Sequence, residues 1–82
     1  MTRYPIYKVE QGGEQHQLAF VSSLIELEGY LTRKYPAVMW RTTSLDTFSS
    51  RFTQPAFDDG MAEIFGEDAS GSKYHFLVKE VR

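Results

Sequence analysis

No cysteine occurs in the sequence, so neither a disulfide framework nor a thiolate zinc site can brace the fold, and the hydrophobic core must suffice. That composition fits a reducing compartment such as the cytoplasm. Long apolar runs are missing as well. None approaches the ~18 residues of a membrane span, and Met1-Thr2-Arg3-Tyr4-Pro5 has no apolar signal region behind its arginine, so the expectation is a soluble, cytoplasmic chain with no membrane partner. Excess charge is also absent. Nine Lys and Arg against eleven Asp and Glu leave a net charge of −2, which argues against a generic, charge-driven binder of nucleic acid or membrane. Repeats, low-complexity segments and long linkers are lacking, and residues 1–82 read as one domain that buries a little over ~60% of the unfolded chain's surface.

Catalytic motifs are equally scarce. Gly12-Gly13 and Gly71 fall in hairpin loops rather than between a strand and a helix, so no phosphate-binding loop is present. His16 and His75 lie on separate strands without the spaced histidine or cysteine partners of a zinc site. A ligand role for His75 is much less common than an ordinary place on a sheet surface. Asp58 and Asp59 are the one adjacent carboxylate pair, and Asp before Gly is turn chemistry. None of the serines at 22, 23, 44, 49, 50, 70 and 72 sits in a Gly-x-Ser-x-Gly elbow. The sequence therefore predicts no catalytic, metal-binding or cofactor-binding residue and no cofactor.

What is present is organised around Ser22–Pro36. Ser23 and Glu26 form a capping-box pair, and Leu24, Leu27, Leu31 and Tyr35 recur on one face of a helix over residues 23–35. Glu26 and Glu28 precede Arg33 and Lys34, the charge order that the helix dipole favours, and Pro36 ends the element. Glu28 lies close to the apolar stripe, where a carboxylate at the edge reaching water is the commoner arrangement. Tyr4–Glu10 reads as a strand, with Pro5 confining it to an edge or a strand start. His16–Val21 is the return strand, with Leu18 and Phe20 on one face. Ala37–Thr42 reads as a third strand. Leu45, Phe48 and Phe52 at i, i+3, i+7 predict a second, short helix over 44–53. Met61–Glu67 and Lys73–Val81 form the strongest strand pair, the last strand central because both its faces carry apolar weight. The expectation is an α+β, two-layer domain of order β-β-α-β-α-β-β, its four- or five-stranded, largely antiparallel sheet covered by the main helix on one face. One helix and a half cannot cover both faces, so if the sheet is single its second face is either partly open to solvent or used for a partner.

Two distributions bear on function. From Arg33 to Arg51 there are four basic residues and one acid, whereas Asp58, Asp59, Glu63, Glu67 and Asp68 form a run of five acids without a base. Runs of this size are ordinarily solvated surface, yet such a run also suits a basic surface on another protein. Aromatics make up 15% of the chain. Phe20, Trp40, Phe48, Phe65 and Phe76 are expected to fill the core, leaving Tyr4, Tyr7, Tyr30, Tyr74 and Phe57 at its rim, where tyrosines commonly sit with the hydroxyl in water.

The leading expectation is a non-enzymatic protein-binding module, an inhibitor or adaptor that covers a site on a larger protein with a basic surface. Its contacts would come from Asp58, Asp59, Glu63, Glu67, Asp68, Phe57 and Tyr74; a homo-oligomer is compatible with the sequence. In size and style the chain is similar to the small phage and mobile-element proteins that block host defence, anti-CRISPR and antirestriction inhibitors among them, with no residue motif behind that likeness. The alternative is a binder of single-stranded nucleic acid on an open sheet face. Lys73-Tyr74-His75-Phe76-Leu77-Val78 resembles the aromatic strand of RNA-recognition folds but lacks the glycine after its basic residue, and the neighbouring acids would repel phosphate. A small enzyme without a recognisable motif is the third and least supported reading.

Overall fold

In a computed structural model, which describes residues 1–82, five strands and one helix follow the order β1 (Tyr4–Val9), β2 (Gln15–Val21), α1 (Leu24–Lys34), β3 (Met39–Arg41), β4 (Met61–Glu67) and β5 (Lys73–Lys79). The strands form one antiparallel sheet, ordered β2-β1-β5-β4-β3. β5 lies between β1 and β4, the central place that its two apolar faces imply. β1 is central too, so Pro5 stands at its second residue and not on an edge.

Period-two alternation builds the inner face. Ile6 on β1, Trp40 on β3, Ala62 and Ile64 on β4, and Phe76 and Val78 on β5 all point to the side that α1 covers. Leu27 and Leu31 of the helix are fully buried against this layer, with Leu24, Tyr30 and Tyr35 packed around them. The Tyr35 ring lies 5.3 Å from that of Phe76 and 6.3 Å from that of Trp40, so the helical stripe meets the last strand as its spacing requires. Glu28 is exposed beside the stripe.

No helix forms over 44–53; residues 42–51 make a turn and an irregular segment instead. Small polar side chains there satisfy the backbone locally and favour turns over helix. Leu45 N–H donates to Thr43 Oγ1 at 3.3 Å, and Thr42 Oγ1 donates to Asp46 Oδ2 at 2.9 Å. Ser49 exchanges two backbone hydrogen bonds with Trp40, at 2.6 and 2.9 Å, closing the outer edge of β3. Leu45 is left 94% exposed, while Phe52 reaches the core.

The aromatics that fill the core also differ from those the sequence predicts: they are Trp40, Phe52 and Phe76. The register of β1 with β2 shifts between Ile6, opposite Ala19, and Tyr7, opposite Gln17, making Leu18 an extra, bulged residue. A bulge breaks the alternation. Leu18 packs towards the core, whereas Phe20, opposite Pro5, turns to the far face and is 55% exposed. Phe48 and Phe65 also leave the core, which is completed by Val21, Val38 and Phe52.

Candidate functional site: the uncovered sheet face

With one helix on one side, the second face of the sheet has no layer over it. Alternation brings to it Pro5, Tyr7 and Val9 of β1, Met39 and Arg41 of β3, Met61, Glu63, Phe65 and Glu67 of β4, and Lys73, His75, Leu77 and Lys79 of β5. Cross-strand register orders them in rows. Arg41 lies opposite Phe65, and Phe65 opposite His75. Glu63 lies opposite Leu77, which faces Tyr7 on its other side. Met39, Glu67 and Lys73 form a third row.

The first row is continuously stacked. The His75 and Phe65 rings lie 4.7 Å apart at an interplanar angle of 13°. The Arg41 guanidinium lies 5.3 Å from the centroid of Phe65 and 4.1 Å from that of Phe48, which the 42–51 segment brings over the edge of the sheet. His75 Nε2 and Glu63 Oε2 are 2.8 Å apart. Further along the face, Lys79 Nζ sits 4.8 Å from the Tyr7 ring centroid, and the Arg3 guanidinium 5.3 Å from that of Phe20.

The acidic run proves to be a strip divided among different surroundings. Asp58 and Asp59 are exposed in the turn before β4, where Asp58 N–H donates to Met61 C=O at 2.8 Å. A depression of about 470 Å³ brings both together with Glu63, Met61, Phe65 and Leu77. Glu67 lies opposite Lys73 at the other end of the strand. Asp68 faces inward on its own loop. Its Oδ1 accepts from the Ser70 and Ser72 backbone N–H groups at 3.0 Å each and from the Ser70 hydroxyl at 2.6 Å, and its Oδ2 accepts from the Tyr74 hydroxyl at 3.0 Å. The Ser70 hydroxyl, aided by Tyr74, holds the Asp68 carboxyl below the usual range despite partial burial. The same bond to Asp68, with burial, pushes the Tyr74 hydroxyl up.

The expected aromatic anchors lie on the helix side. The Tyr74 ring packs 5.3 Å from that of Tyr35, and the Phe57 ring 5.5 Å from that of Tyr4. Of the seven residues expected to meet a partner, Asp58, Asp59, Glu63 and Glu67 thus border or line the uncovered face, whereas Asp68, Tyr74 and Phe57 are engaged elsewhere. Arg41, Phe65, Tyr7 and Phe20 belong to the face and were not expected there; His75, expected on a sheet surface, joins them. Alternation within β4 and β5 carried the signal for Phe65 and His75. Nothing local to Phe20 announces the bulge that turns it outward.

Arg3, Arg41, Lys73 and Lys79 stand on or over this face against Glu63 and Glu67. Among all lysines and arginines only Arg82 has a carboxylate within ion-pair distance, Glu80 at 3.5 Å. No three His, Asp or Glu side chains converge to hold a metal ion, and no helix is long and apolar enough to cross a membrane. Compared with protein-family models, curated proteins and solved structures, the chain gives no match.

Proposed function

We propose that the protein is a non-enzymatic binding module, an inhibitor or adaptor that docks on a larger protein through its uncovered sheet face. The observation that carries this reading is the one-sided cover of the sheet. Phe20, Met39 and Met61 are 55%, 40% and 44% exposed there, around half-buried Tyr7, Phe65 and Leu77. Aromatic residues, Met and Arg, which Phe20, Tyr7, Phe65, Met39, Met61 and Arg41 supply here, are the side chains enriched at protein interfaces. Asp58, Asp59 and Glu67 have no cationic partner and suit basic groups on the other protein; Arg3, Arg41, Lys73 and Lys79 have no carboxylate partner and suit acidic ones. A bipolar partner surface meets both. Its place among phage or mobile-element inhibitors of host defence belongs to the same proposal and rests on size and composition.

Single-stranded nucleic acid is the weaker occupant. Base stacking needs a free aromatic face, yet His75 and Arg41 flank Phe65, and Lys79 sits over Tyr7. Glu63 also places a carboxylate in the middle of the surface.

The test is site-specific photocrosslinking in the native host, with the crosslinker at Phe20 or Met61 on the uncovered face and, as control, at Ile25, which is 79% exposed on the helix. One protein crosslinked from positions 20 and 61 and not from 25 is the expected outcome. Equal labelling from all three positions, or crosslinks to nucleic acid alone, would overturn the reading.

A further inference from the structure

Arg41 occupies an unusual position for a cation at a sheet edge. Its guanidinium lies between Phe48 and Phe65, 4.1 and 5.3 Å from the ring centroids. Stacking against aromatic faces fixes the plane of an arginine while leaving its N–H edge for hydrogen bonding. That edge is poorly used. Nε is buried and has no hydrogen-bond partner. The one bond from the guanidinium is a 3.5 Å contact from Nη1 to the Asp46 carbonyl, at the outer limit of hydrogen-bond length. No carboxylate lies within ion-pair distance. A buried, charged donor without an acceptor costs stability, and native proteins keep few of them.

The surroundings offer room for an acceptor. Arg41 lines a recess of about 320 Å³ with Trp40, Thr42, Thr47, Ser49 and Thr53. Asp46 is the one carboxylate in its wall, and its Oδ2 is engaged by the Thr42 hydroxyl at 2.9 Å. Nε is closed to an incoming group, but the under-used terminal Nη pair and the neighbouring hydroxyls match one chemistry well: a carboxylate, whose two oxygens fit those two nitrogens.

We infer that Arg41 is a preformed receptor for an acidic side chain, Asp or Glu, of the docking protein. The inference rests on the proposed docking for the identity of the carrier; the receptor itself is tested without it. Lys73 lies in the adjacent row of the same face, two strands away, and likewise has no carboxylate within ion-pair distance, so an acidic segment crossing from β3 towards β5 would meet both. The clamp gives Arg41 a role that a lysine cannot fill, because an ammonium has neither the fork nor the flat faces.

The test is an NMR titration of the intact protein, following the Arg41 Nε–Hε signal, with a terminally blocked hexaglutamate peptide as probe and hexaglutamine as control. Hexaglutamate should shift that signal saturably and hexaglutamine should not. Arg41→Lys, followed through the Phe65 and Trp40 amides, should weaken binding about ten-fold as the bidentate contact is lost. Phe48→Leu keeps the guanidinium and loosens its clamp, and should weaken binding about two- to five-fold. Both variants are first checked for the wild-type amide spectrum away from β3. Equal affinity in Arg41→Lys, or shifts spread evenly over the lysines, would overturn the inference. So would a partner crosslinked at Phe20 whose affinity is unchanged by Arg41→Lys, an outcome that leaves the docking surface standing and removes the receptor alone.

Discussion

At position 66 a side chain has no room. A Cβ on Gly66 would stand 2.5 Å from Val38 Cγ1 and 3.2–3.3 Å from the Trp40 ring, so the glycine lets β3 and its tryptophan lie flat on β4. Gly66→Ala is expected to lower stability by about 1–3 kcal/mol, the usual cost of overpacking a filled core; an unchanged urea midpoint would mean that Val38 moves aside freely. Asp68 acts at the same scale through ionisation. Its carboxyl is held low in the folded chain, chiefly by the Ser70 hydroxyl, so its contribution is present above the ordinary carboxylate range near pH 4 and lost as pH falls through the depressed folded value. Tyr74, pushed up chiefly by its bond to Asp68, contributes below the ordinary tyrosine value near pH 10 and loses that contribution as pH rises through the raised folded one. Asp68→Asn should therefore flatten both ends of the stability profile, read as urea midpoints at acid, neutral and alkaline pH. Parallel profiles for the two proteins would show that the loop's bonds do not discriminate between protonation states.

Among the elements, α1 was legible because several independent local signals coincide in it. Ser23 is its N-cap and its Oγ accepts from Glu26 N–H at 3.2 Å. The Glu26 carboxylate reaches back to Ser22 N–H at 2.9 Å, one residue before the cap nitrogen that a standard capping box engages. Ser23→Ala should cost about 1 kcal/mol, measured by thermal or urea unfolding, whereas Ser22→Ala should be silent because Ser22 contributes only its backbone N–H. The β4–β5 hairpin was equally legible, since alternation and a glycine-containing loop suffice to define it. The segment 44–53 was not. Its apolar spacing is helical, yet Phe48 turns to Arg41 on the uncovered face, Phe52 turns to the core and Leu45 turns to water, so three residues that share a helical face in sequence serve three surroundings in space. What decides the matter is the pairing of Ser49 with the exposed edge of β3, a tertiary contact that overrides local propensity. The bulge at Leu18 was hidden for a similar reason: it is defined by the partner strand and not by the residues that form it.

For the whole molecule, the polarity that the sequence shows along the chain is largely mixed by the sheet. β4 carries its acids between β3, with Arg41, and β5, with Lys73 and Lys79, so the run of five becomes two paired or facing residues on the surface, one engaged in a loop and two in an exposed turn. The candidate site was legible in that order of detail: that a sheet face would lie open followed from counting helices, whereas its composition required the register. Electrostatic steering depends on exposed, unpaired charge. Asp58 and Asp59 meet that condition, Glu67 is half-buried opposite Lys73 with no cation within ion-pair distance, and Asp68 is satisfied by Ser70, Ser72 and Tyr74. Changing Asp58, Asp59 and Glu67 to Ser, Ser and Gln should therefore slow association with the docking protein several-fold at low salt and flatten its salt dependence, with the dissociation rate little changed. Phe20→Ala should do the reverse: association is kept, and the complex dissociates faster by a factor corresponding to about 2 kcal/mol if the ring is an anchor. Both rates are read by surface plasmon resonance once the crosslinked partner is purified. An unchanged association rate in the triple variant would leave those carboxylates as solvated surface. An unchanged dissociation rate in Phe20→Ala would move the contact away from the β2 side of the face, towards the stacked row of Phe48, Arg41, Phe65 and His75.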